Sequence, residues 1–116
     1  MTITRYAVGA HKSDMVAHNG VLYVSGMVGD DYKAPLDEQM KSLLATLERL
    51  LLEGGSSKER ILSSTIWLAS IDDRAVVNQH WIAWLPKGHP PARACIGALL
   101  ADPDLKVEIA LIAAQS

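Results

Sequence analysis

The stretch MVAHNGVLYVSGMVG, residues 15–29, decides the fold. Two β-rich runs flank Asn19-Gly20, and Asn-Gly is the strongest short hairpin signal because both residues tolerate positive φ. The pattern predicts strands near 15–18 and 21–28 joined at Asn19-Gly20. Gly26 and Gly29 interrupt the second strand and mark a bulge or a place where another backbone or a ligand comes close.

Working outward, TITRYAV (2–8) is short, β-rich and roughly alternating, as in an edge strand. Downstream, Pro35 and Asp37 are helix start signals and Gly54-Gly55 a stop. Between them Leu36, Met40, Leu43, Leu44, Leu47, Leu50 and Leu51 recur at three- and four-residue spacing, the stripe of a helix packed on a sheet. RILSSTIWLAS (60–70) reads as a strand. Its two faces are Ile61, Ser63, Thr65, Trp67 and Leu62, Ser64, Ile66, Leu68. Asp72 or Asp73 caps a second helix running to about Leu85, with Val76, Val77, His80, Trp81 and Trp84 as its buried stripe. Pro86 and Gly88 end it. Strands follow at about 92–100 and 105–114, with a turn at Ala101-Asp102-Pro103-Asp104. The order β, β-β, α, β, α, β, β predicts an α+β domain: a mixed sheet with both helices on one face. Nothing in the chain remains to cover the other face, so self-association is expected.

Length predicts a single domain over 1–116. A net charge of −2 and the lack of any Lys/Arg run give no reason to expect nucleic acid. One cysteine excludes an internal disulfide framework and is compatible with a reducing compartment. No apolar run reaches the ~18 residues of a membrane span, and the first residues lack an apolar signal core, so cytoplasm is the default address. The four histidines have no ligand-like spacing, so no metal site is expected.

Two charged residues stand out. In PARACIG (91–97), Arg93 lies between apolar neighbours and needs an anion if buried. That anion is either an acidic side chain in an interface salt bridge or the carboxylate of a ligand; an exposed edge-strand arginine is the third reading. In KVEIALIAA (106–114), Glu108 is a lone carboxylate in an apolar run, costly unless paired or functional. If the last two strands pair as a hairpin with Cys95 opposite Ala110, then Arg93, Cys95, Gly97, Glu108 and Ala110 share one face. Gly97 then stands opposite Glu108 and leaves it room. Arg93 and Glu108 would not touch in that register. They would bracket something small or meet different subunits. Cys95 is either a nucleophile or a small packing residue.

Val24-Ser25-Gly26, Pro91-Ala92-Arg93-Ala94-Cys95 and Lys106-Val107-Glu108-Ile109 resemble the signature of the reactive intermediate deaminase (RidA, or YjgF) family. The resemblance covers nearly the whole chain, including Thr65 to Ala69 and Asn78. The interval from Arg93 to Glu108 matches without a gap. Asn78 to Trp84 and Asp102-Pro103 are similar to the shorter branch of the YoaB proteins. The resemblance implies a chorismate-mutase-like homotrimer whose sheets form an inner barrel with three inter-subunit clefts. It also implies cofactor-free hydrolysis of reactive 2-enamines or 2-imines, such as 2-aminoacrylate, to 2-keto acids and ammonia. Carried over, Arg93 holds the substrate carboxylate and Glu108 positions and polarises water. Cys95 contributes backbone groups, and Ser25 and Gly26 line the cleft. The founding branch has a tyrosine thirteen residues before the serine; here Lys12 stands there. That departure leaves a non-catalytic binder of small carboxylates as the alternative; a ribonuclease or translation inhibitor, for which the family is often named, is opposed by the acidic pI and the absence of a basic patch or a histidine pair.

Overall fold

The computed structural model describes residues 2–116. Strands β1 (Thr4–Val8), β2 (Ser13–His18) and β3 (Val21–Met27) precede helix α1 (Leu36–Glu53). Strand β4 (Ile61–Leu68), helix α2 (Arg74–Trp84), β5 (Ala92–Gly97) and β6 (Val107–Ala114) follow. All six strands form one sheet in the order β1-β2-β3-β6-β4-β5, antiparallel except for the parallel pair β4–β5.

The β2–β3 hairpin turns at Asn19 (φ 54°) and Gly20 (φ 76°), both in the left-handed region that this dipeptide tolerates. Helix α1 buries Met40, Leu43, Leu47, Leu50 and Leu51 against one sheet face, as its spacing requires. That face supplies Met15, Leu22, Val24, Ile66, Leu68, Ile109 and Leu111, and α2 adds Val77 and Trp81. The molecule is only 20 Å thin along its shortest axis, room for a sheet and one helical layer at ~10 Å each. The other face is bare. Tyr23, Ile96 and Ile112 lie on it, each more than a third exposed.

The expected hairpin of the last two strands fails. β5 and β6 do not form a hairpin, because β4 lies between them. β4, α2 and β5 instead make a strand–helix–strand crossover, the connection a parallel pair needs. Its long return through residues 98–106 lets β6 run antiparallel between β3 and β4. The alternation expected of β4 is also broken near its start. A register shift between Ile61 and Ser63 puts both Ile61 and Ser64 on the buried face.

Candidate active site

Register assigns each candidate to a face. Arg93, Cys95 and Gly97 pair with Ser64, Ile66 and Leu68 of β4, so they face the helices. Glu108 and Ala110 pair with Trp67 and Thr65, so they face the bare side. The shared face expected for these five residues is therefore replaced by two. Arg93 and Glu108 are two strands and three residue steps apart, ~14 Å between Cα atoms at sheet spacings, with side chains pointing opposite ways. Within one chain they cannot hold the same small molecule.

Arg93 is exposed on the edge strand β5, and Nη1 donates to Asn78 Oδ1 of α2 at 2.7 Å. Among the described residues it makes no ion pair. A neutral amide therefore orients the guanidinium while leaving its charge uncompensated, and its remaining N–H groups can take an oxyanion. Within one chain Arg93 is thus the exposed edge-strand arginine, and an interface salt bridge or a ligand carboxylate would have to come from outside the chain. Cys95 is a free, half-buried thiol that packs against the core.

Glu108 sits in a niche made by β3. The register of β3 on β6 slips between Val24 and Met27, giving three steps on β3 against two on β6. The extra residue in this bulge turns Gly26 toward Glu108. A Cβ on Gly26 would overlap Glu108 Oε2 and come 3.1 Å from its Cδ. Gly26, not Gly97, makes room for the carboxylate. A Cβ on Gly97 would only reach ordinary contact with Ile71, 3.8 Å away. Ser25 Oγ donates to the Ser13 carbonyl (2.6 Å) and ties the bulge to β2. Lys12, one residue before Ser13, is exposed, with Nζ 3.9 Å from Asp14 Oδ1.

Gln39 went unnoticed in the sequence because it adjoins the apolar stripe of α1 without breaking its period. It is fully buried. Nε2 donates to the carbonyls of Tyr32, Ala34 and Asp104 (3.0–3.1 Å), and Oε1 accepts from the Lys106 amide (3.0 Å). Gly29 lets the chain after β3 pass close: a Cβ there would stand 2.9 Å from Gln39 Cα. One side chain thus joins the exit of β3, which carries Ser25 and Gly26, to the entry of β6, which carries Glu108. Asn78 was visible only through the resemblance, since no local spacing links it to Arg93.

Among the described residues no group of three or more His, Cys, Asp or Glu side chains is placed to hold a metal ion, and no helix is long and apolar enough to cross a membrane.

Comparison with known proteins gives this arrangement a context. Residues 2–115 match the model of a family described as endoribonuclease L-PSP. The chain is 42% identical over 114 residues to the RutC family protein YoaB of Escherichia coli, covering 98% of this chain and 99% of that one. A YjgF family member from Neisseria meningitidis superposes with a TM-score of 0.95 at 37% identity, over 100% of this chain and 97% of that chain. An uncharacterized protein from Pseudomonas aeruginosa gives the same TM-score at 36% identity, over 99% of this chain and 100% of that one. The chain belongs to the endoribonuclease L-PSP family, the YjgF/RidA family whose motifs its sequence carries.

Proposed function

We propose that the protein hydrolyses reactive 2-enamines and 2-imines to 2-keto acids and ammonia, in sites formed between copies of the chain. The observation that carries the reading is Arg93: an arginine oriented by a neutral amide, with no carboxylate of its own chain against it. Such a group suits the carboxylate of a 2-imino acid. Glu108 faces the bare side of the sheet, so the reading requires Arg93 of one copy to meet Glu108 of another. The homotrimer implied by the family supplies that meeting and covers Tyr23, Ile96 and Ile112.

The chemistry needs few groups. An enamine takes a proton from solvent at C3 to become the protonated imine. Water then adds to C2 while Glu108 accepts one of its protons, giving a carbinolamine. Glu108 returns that proton to nitrogen. As the C–N bond breaks, the C2 hydroxyl gives its proton back to Glu108 and becomes the carbonyl, so ammonia and the 2-keto acid leave. Glu108 releases that proton to solvent, replacing the one taken up at C3. The imine is already electrophilic, so orientation by Arg93 and proton transfer by Glu108 are the main requirements. Ser25 and Gly26 line the niche from β3, and the Cys95 backbone lines the β5 side.

The test is to generate 2-aminoacrylate in situ and follow keto-acid release. Arg93→Ala should lower kcat/KM by about 100-fold, the value of a charge-assisted hydrogen-bonded pair near 3 kcal/mol. Equal rates for wild type and Arg93→Ala would overturn the reading. Lys12 at the position of the founding branch's tyrosine favours a second reading, binding of 2-keto acids without turnover. Calorimetric binding in the absence of any keto-acid release would select it.

A further inference from the structure

We infer that Arg74 is a specificity-determining residue that selects substrates with a second, distal carboxylate, the 2-imino acids of four or five carbons with an acidic side chain. The inference deepens the enamine/imine hydrolase reading and rests on it for the position of the first carboxylate.

The observation is a groove of about 490 Å³ at the start of α2, lined by Ile71, Asp72, Arg74, Ala75 and Asn78. Asn78 is the residue that holds the Arg93 guanidinium, so groove and proposed carboxylate clamp adjoin. Arg74 and Asn78 are four residues apart on α2, which places them on one helix face with ~6 Å between their Cβ atoms. Arg74 and the Asn78 that holds Arg93 thus line one groove, a helical turn apart. The Arg93 group has its primary role in the proposed reaction; the Arg74 group has none.

Two features mark Arg74 as available to a ligand anion: it is exposed, and among the described residues it makes no ion pair, although Asp72 and Asp73 precede it directly. The 3-10 turn Ile71–Asp73 runs into α2 and the Arg74 amide donates to the Ile71 carbonyl, so the side chain of Arg74, not the helix end, is what an anion meets. Asp72 shares the lining and opposes an anion. It lowers the preference without neutralising Arg74 by contact. Gly97 lies across from Ile71 and adds no side chain to that end of the groove.

A matched pair of product-like ligands isolates the distal carboxylate: 2-oxoglutarate and 2-oxopentanoate have equal chain length and differ in that group alone. Calorimetry on the intact protein at low ionic strength should show 2-oxoglutarate binding about fivefold tighter, the upper range for an exposed ion pair. Arg74→Gln should erase the difference and leave 2-oxopentanoate affinity unchanged. Arg74→Lys should retain part of it, and Asp72→Asn should widen it. The preference should shrink as salt is raised. Equal affinities in the wild type, or a preference that survives Arg74→Gln, would overturn the role of Arg74 and leave the hydrolase reading intact. Binding of neither keto acid, with no keto-acid release from 2-aminoacrylate, would overturn both.

Discussion

Gly26→Ala separates the stability of this fold from the function proposed for it. The backbone at Gly26 is not in the left-handed region, so alanine fits its conformation. The added Cβ would overlap Glu108 Oε2 and crowd the rest of that carboxyl. All three nearest atoms belong to the one flexible Glu108 side chain, so the protein relieves the clash by moving it. To reach van der Waals contact the carboxylate oxygen retreats by roughly 1 Å or more, and a misplacement of that size costs about 100-fold in a positioned reaction. Stability should hardly change. Loss of glycine's unfolded-state freedom offsets a small repacking cost, leaving a net effect within about 1 kcal/mol. The assay pairs urea unfolding with turnover of imine generated in situ. The expected result is a wild-type midpoint with kcat about 100-fold lower. Gly97→Ala is the control, because its Cβ meets only ordinary contacts, and its activity should stay within about twofold of wild type. A folded Gly26→Ala protein with undiminished kcat would refute the niche as the place where Glu108 works.

Other outcomes follow from the same geometry. Gln39→Met keeps volume but strands the Lys106 amide and the carbonyls of Tyr32, Ala34 and Asp104. At about 1–3 kcal/mol for a buried group left unpaired, it should cost at least 3 kcal/mol in urea unfolding, and a loss under 1 kcal/mol would contradict the network. Asn78→Leu removes the neutral partner of Arg93. KM should rise about tenfold with kcat within about twofold, since the lost bond orients the carboxylate clamp rather than the proton transfer.

Local chemistry made much of the fold legible. Asn19-Gly20 announced its hairpin, and the leucine spacing of α1 announced which side packs on the sheet, because both signals lie within a few residues. Pairing of β5 and β6 was misread because adjacency and an Asp-Pro turn suggested a hairpin, whereas partner choice is set by long-range contacts. The β4–α2–β5 succession did carry the right signal, since a strand, helix and strand of that length make a parallel pair. Once β4 separates β5 from β6, Arg93 and Glu108 fall on opposite faces. The motif residues were thus identifiable from sequence while their spatial relation was not. The same error gave Gly97 the room-making role that belongs to Gly26, whose partner Glu108 is 82 positions away. Asn78 and Gln39 act through contacts across 15 and 67 residues, which no local pattern encodes.

The central claim is that Arg93 and Glu108 serve one site from two different copies of the chain. Arg93→Ala and Glu108→Gln proteins, each nearly inactive alone, can be mixed, unfolded and refolded together in equal amounts. In a closed ring with head-to-tail interfaces, random assembly gives about a quarter of the interfaces an intact Arg93 facing an intact Glu108. The account expects about a quarter of wild-type keto-acid release from the mixture. Activity no higher than that of the separate variants would contradict it.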